Sequence, residues 1–141
     1  MTGMAAERVY VALGSNLGDR AGHLAAARAG MHALRGTTLV AESSVEETPP
    51  LGGMDQPAYL NQMVALETTL SPGELLAELQ QLERRAGRSR GERWAPRTLD
   101  LDIVLFGGRR VAEPGLTIPH PELARRDFWR RELQELGANG R

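Results

Sequence analysis

Asp100 and Asp102 stand two residues apart in the apolar run Leu99-Asp100-Leu101-Asp102-Ile103-Val104-Leu105-Phe106, directly after a loop that carries Arg88, Arg90, Arg93, Trp94 and Arg97. Gly91 and Pro96 break that loop, and the run behind it reads as a strand. Side chains alternate along a strand, so both carboxylates project to one face, ~6.5 to 7 Å apart along the chain. Leu99, Leu101, Ile103 and Leu105 then take the other face. Magnesium is commonly held by one or two carboxylates together with phosphate oxygens. Arginine's planar fork matches phosphate and keeps its charge at any working pH. The pattern therefore suits a metal–polyphosphate site. Two blander readings stay open. The arginines can be a solvated basic face, and an Asp-x-Asp at a strand mouth can end the strand or pair with neighbouring arginines. Two carboxylates on one face of a buried strand nevertheless cost desolvation unless a cation offsets it.

The rest of the composition bounds what such a site can be. With 141 residues the chain is expected to form one domain, 1–141, with one core. Seventeen basic and 18 acidic residues nearly cancel, which argues against a dedicated nucleic-acid binder. Every basic residue is arginine, so a Walker A loop, with its Gly-Lys-Ser/Thr, is excluded. The absence of cysteine excludes disulfides, thiolate catalysis and cysteine-ligated zinc. The first residues lack the layout of a signal peptide, and runs such as Val9–Leu13 are too short to span a membrane. A soluble cytoplasmic protein is expected.

The elements that must position the aspartates follow from periodicity and punctuation. Val9–Leu13 is a short buried strand, and Gly14-Ser15-Asn16-Leu17-Gly18 a tight turn that can also hold a phosphate at the next helix N-terminus. Asp19 caps that helix, Leu24, Ala27, Met31 and Leu34 share its inner face, and Gly36 is placed to end it. Thr37 to Thr48 reads as one strand, residues 49–57 as a long loop, and Tyr59 to Thr68 as a third strand. In the last, Tyr59, Asn61, Met63 and Ala65 fall on one face, with Leu60, Val64 and Leu66 on the other. An asparagine near a buried face needs partners for its amide, which a planar amide-bearing heterocycle or the neighbouring backbone can supply. Ser71-Pro72-Gly73-Glu74 is a capping box with proline at the first helical position. Leu75, Leu76, Leu79, Leu82 and Ala86 form that helix's stripe, and Gly87 stops it. After the aspartate strand come a segment around Val111 and the extended Leu116–Pro121, with His120 between two prolines. The order βαββαβ predicts an α+β, ferredoxin-like fold: a mainly antiparallel sheet, helices packed on one face and substrate loops on the other.

Five strings, taken together and in order, resemble the 6-hydroxymethyl-7,8-dihydropterin pyrophosphokinase family of folate biosynthesis. They are Gly14–Gly18, Thr48-Pro49-Pro50-Leu51-Gly52, Asp55–Asn61, Arg93-Trp94-Ala95-Pro96-Arg97-Thr98-Leu99-Asp100-Leu101-Asp102 and Ile118–Pro121. The resemblance covers roughly residues 9 to 136. It implies transfer of the β,γ-diphosphate of ATP to the pterin hydroxymethyl oxygen, with AMP released. It implies that Asp100 and Asp102 hold two magnesium ions and, with Arg88 and Arg97, carry catalysis. It places ATP against Gln80, Glu83, Arg88, Arg90, Arg93, Trp94, Arg97, Ile103, Thr117, His120 and Arg126. It places the pterin against Thr48, Pro49, Leu51, Tyr59, Asn61, Trp94 and Phe128. It also implies loops at 47–57 and 86–97 that close over the substrates, and a monomer bound to neither nucleic acid nor membrane.

The chain departs from the family pattern in three places. Gly115 stands where many members carry an arginine, the spacing from Arg88 to Arg93 varies among members, and Trp129-Arg130-Arg131 follows Phe128 in place of an apolar pair. These motivate a second hypothesis, a member that binds ATP or pterin without turnover. A third is an RNA-binding ferredoxin-like module using the arginines. Against it stand only two each of Phe, Tyr and Trp, not clustered as base-stacking platforms require.

Overall fold

A computed structural model describes residues 5–49, 57–87 and 98–138. Its elements run β1 (Glu7–Ser15), α1 (Arg20–His32), β2 (Thr37–Glu42), β3 (Glu46–Thr48), β4 (Tyr59–Thr68), α2 (Pro72–Arg85), β5 (Asp100–Phe106), β6 (Val111–Glu113), β7 (Leu116–Ile118) and α3 (Asp127–Glu135). The main sheet is ordered β2-β4-β1-β5, every paired strand antiparallel, with β3 extending the β2 edge along β4. β6 and β7 form a separate hairpin. This is the ferredoxin-like arrangement that the element order predicts.

Local chemistry explains the helix starts. The Asp19 carboxylate accepts the Gly22 N–H, and Ser71 and Glu74 close a reciprocal capping box ahead of Pro72. Ser71→Ala removes the cap and should cost about 1 kcal/mol, read as a lower urea midpoint with unchanged slope. Leu24, Ala27 and Met31 of α1 and Leu75, Leu79 and Leu82 of α2 bury themselves with Val64, Leu66, Leu101 and Ile103 on one sheet face. Across the sheet, Ala12, Met63, Val104 and Leu105 pack with Trp129 and Leu133 of α3.

The structure differs from the expected elements at five points. Thr37 to Thr48 is not one strand, because Ser43 leaves the ladder between β2 and β3. Its N–H donates to the Met63 carbonyl, its hydroxyl accepts the Met63 N–H, and its carbonyl accepts the Gln62 amide. Leu105 does not share a face with Leu101 and Ile103. A bulge opposite Tyr10 and Val11 inserts one residue into β5, so Leu105 joins the α3 cluster and Phe106 the other. Nor do the helices lie on one face only. α3, which no sequence signal was read for, covers the second. Gly14 and Ser15 belong to β1 rather than the turn, and α1 ends at His32, before Gly36. No helix among the described residues is long and apolar enough to cross a membrane.

Candidate active site

Strand register builds the site. Gly14 pairs with Asn61 on one side and Asp100 on the other, and Asn61 pairs in turn with Glu46. One residue row, Glu46-Asn61-Gly14-Asp100, therefore crosses four strands. The next row is Met63-Ala12-Asp102. Cross-strand partners face the same way, so Asn61 and both aspartates share the face that α3 partly covers. Gly14 leaves the floor low between them. A Cβ there would stand 3.3 Å from Asn61 Oδ1 and 3.6 Å from the Tyr59 ring.

Above that floor opens a cavity that communicates with solvent. Thr48, Tyr59 and Asn61 line one side, Asp100 and Asp102 another, and Arg126, Phe128 and Trp129 the wall from α3 and its approach. Asn61 is 7% exposed, and its amide donates to Thr48 Oγ1. That contact is with a side chain, not the backbone partner sequence reasoning allowed for. It fixes the amide while its carbonyl oxygen stays toward Gly14.

A second, open recess lies beyond the aspartate strand, lined by Leu76, Ile103, Gly115, Thr117 and His120. Asp102 belongs to the walls of both. His120 is held in place from three directions. Its N–H donates to the Val104 carbonyl, its Nδ1 accepts the Glu122 N–H at 3.0 Å, and its ring meets Trp129 edge-on at 4.9 Å. With Nδ1 accepting, Nε2 is the nitrogen left to carry the proton, and it faces Asp102 Oδ1 at 3.5 Å.

Trp129 is the site residue that sequence reasoning missed. It is 2% exposed, touches His120 on one side and Phe128 on another, and carries the Arg126 guanidinium over its ring at 4.5 Å. The adjacent pair Phe128-Trp129 was visible in the sequence. What it stacks on was not.

Glu83 points elsewhere than the recess. It is buried on α2, and its carboxylate accepts the Leu101 N–H at 2.8 Å, fastening the backbone between the two aspartates. Gln80 is exposed on the same helix and lines neither space. Pro49 is exposed and also lines neither. Leu51, Arg88, Arg90, Arg93, Trp94 and Arg97, with most of both expected closing loops, lie outside the described residues. Thr48, Tyr59, Asn61, Asp100, Asp102, Arg126 and Phe128 come together in the first cavity, and Asp102, Ile103, Thr117 and His120 in the second.

An antiparallel α+β sheet with paired carboxylates, one of them lining two adjacent recesses, is of the class of small-molecule binding folds that can bring two ligands together. Comparison with known proteins gives the family. Residues 10–138 match the family model 7,8-dihydro-6-hydroxymethylpterin-pyrophosphokinase, and the chain belongs to that family. A 2-amino-4-hydroxy-6-hydroxymethyldihydropteridine pyrophosphokinase of Bacillus subtilis is 44% identical over 127 residues, 90% of this chain and 76% of the relative. The protein of that name from Haemophilus influenzae is 47% identical over 119 residues, 84% of this chain and 74% of the relative. A mitochondrial folate synthesis bifunctional protein of Pisum sativum is 39% identical over 135 residues, 92% of this chain but 25% of the pea protein.

Proposed function

We propose that the chain transfers the β,γ-diphosphate of ATP to the hydroxymethyl oxygen of 6-hydroxymethyl-7,8-dihydropterin, giving the pterin diphosphate and AMP. Beside family membership, one observation carries the reading: Asp102 stands in the wall shared by both spaces. Direct transfer between two bound substrates needs a group that reaches both.

The pterin takes the first cavity, its amide edge toward Asn61 and Thr48 and its ring near Tyr59 and Phe128. The nucleotide takes the recess at Ile103, Thr117 and His120, its phosphates running toward Asp102. The hydroxymethyl oxygen attacks the β-phosphorus, the bond from that phosphorus to the α,β-bridging oxygen breaks, AMP leaves, and the hydroxyl proton passes to solvent. The chain's part is positioning and charge balance, with no covalent intermediate. His120 and Trp129 hold the Asp102 side of the junction, and Arg126 brings a cation to the first cavity. Arg88, Arg90, Arg93 and Arg97 grip the phosphates.

Asp100 and Asp102 fit magnesium. Both are hard-oxygen ligands, partly exposed on one face, and magnesium asks for only one or two carboxylates beside water and phosphate. Among the described residues no cluster of three or more His, Asp or Glu forms a protein cage, and magnesium bound there would draw further ligands from phosphate and water. Two magnesium ions held there supply charge neutralisation on the transferring phosphates.

Phosphorus NMR of protein, magnesium-ATP and 6-hydroxymethyl-7,8-dihydropterin tests the reading. AMP and a pterin diphosphate are expected, and only when the pterin is present. ADP as product would overturn it.

A further inference from the structure

The mechanism leaves one buried ionisable group unused. Glu132 lies on the inner face of α3 beside Leu133 and is 1% exposed. No donor among the described residues reaches either carboxyl oxygen, and the polar group that faces it is the Glu46 carboxyl. An ionised carboxylate in that place would be strongly disfavoured. Burial first, then the neighbouring Glu46 carboxylate, push Glu132 up to about 9. Burial alone would raise Glu46 as well. Glu132 and Arg131 outweigh that and hold Glu46 below its ordinary value, with the Arg131 guanidinium 2.9 Å away. Near neutral pH, Glu132 thus keeps its proton and Glu46 does not, a donor beside an acceptor.

The geometry gives that proton something to hold. α3 meets the β2–β3 edge at two further points: Arg131 pairs with Glu46, and Glu135 accepts both the Ser44 N–H at 2.8 Å and its hydroxyl at 2.9 Å. Glu46 is the ladder partner of Asn61, and Thr48, two residues on, accepts the Asn61 amide. α3 supplies Phe128 and Trp129 to one wall of the first cavity, and β3 supplies Thr48 to another. Glu132 and Glu46 lie where the two elements meet.

We propose that Glu132 is a positioning residue for the first cavity, its proton closing α3 onto β3, so that losing the proton loosens the wall around Asn61 and Thr48. The proposal rests on the pterin reading of that cavity. The charged groups around Glu132 are Glu46 from β3 and Arg131 and Glu135 from its own helix. Tyr10 of β1 packs on the same apolar cluster as α3, and from β4 Asn61 and Met63 do not titrate.

Because the folded chain binds this proton more tightly than an unfolded one, its stabilising contribution is complete in acid and shrinks as pH rises toward about 9. Glu132→Gln keeps the shape, keeps an N–H donor toward Glu46, and cannot titrate. The test compares wild type and E132Q at pH 7 and pH 9.5, by fluorescence titration with 6-hydroxymethyl-7,8-dihydropterin and by thermal unfolding without ligand. Substrate ionisation is common to both proteins and cancels. Wild type should lose at least ~3-fold more pterin affinity than E132Q over that range, as expected when a group passes its pKa. ATP affinity should move alike in both. Glu46→Gln, which removes the neighbouring charge, should shift the wild-type transition to lower pH. Parallel pterin profiles in wild type and E132Q would overturn the proposal, even if melting temperatures diverged, since that would leave a purely structural proton. Absent turnover with pterin binding intact counts against the pyrophosphokinase reading and not this one. Absent pterin binding at pH 7 in both proteins overturns both.

Discussion

Asp102→Ala is expected to abolish turnover, with kcat down ~10³-fold or more, while the fold survives. Asp102 is partly exposed, and what it contributes to packing is small beside what it contributes to charge. Metal-assisted stabilisation of a phosphoryl transition state is worth several kcal/mol, and each ~1.4 kcal/mol is tenfold in rate. The geometry makes the prediction asymmetric. Asp100 lines only the first cavity, whereas Asp102 lines both and faces His120. Removing Asp102 should therefore weaken magnesium-dependent ATP binding as well as turnover, and Asp100→Ala should weaken the pterin side more. Steady-state kinetics with magnesium titrated against each variant separates the two. A D102A protein with wild-type kcat would remove the carboxylate from the mechanism and take the two-substrate reading with it.

Much of this was legible in the sequence, and the failures share a physical cause. α1, α2, β1, β4 and β5 announced themselves because each carries its own signal, a capping residue, a 3.6-residue stripe or a short apolar run between turn formers. The alternation Tyr59, Asn61, Met63 survived intact because β4 is a regular central strand. The alternation along β5 did not survive past Ile103. That strand is apolar on both faces after Asp102, so a one-residue bulge leaves no trace in hydropathy. Ser43 broke the second strand through its hydroxyl on the Met63 N–H and the Gln62 amide on its carbonyl, contacts made across the sheet that hydropathy along the strand does not reveal. α3 hid because its buried stripe of Trp129, Glu132 and Leu133 contains an acid. Family strings located Thr48, Asn61, Asp100, Asp102 and His120. Asn61 meets the two aspartates only through register with β1, where Gly14 pairs with Asn61 on one side and Asp100 on the other, and hydropathy does not encode that register.

Trp129→Ala should destabilise the fold far more than loss of the Ser71 cap, and its effect on catalysis should outlast correction for lost stability. Truncating a buried tryptophan typically costs ~3 to 5 kcal/mol, from lost burial and the cavity left behind. Trp129 is 2% exposed in the cluster that docks α3 on Met63, Val104 and Leu105, so little can collapse to fill the gap. Its ring also sets two cations or potential donors. Arg126 lies over its face at 4.5 Å, and the His120 imidazole abuts its edge at 4.9 Å with Nε2 toward Asp102. Losing the ring removes the face under Arg126 and leaves the His120 imidazole held through the Glu122 N–H on Nδ1 without its aromatic wall. Trp129→Phe keeps part of the apolar volume and an aromatic face for Arg126, so it should recover most of the melting temperature. It should recover less of kcat/KM, because the smaller ring cannot meet Arg126 and His120 at once. Thermal unfolding set beside kcat/KM for wild type, W129A and W129F decides the point. If W129F restored activity and stability in equal measure, the tryptophan would be packing alone, and the Glu122 N–H and the Val104 carbonyl would suffice to place His120 beside Asp102.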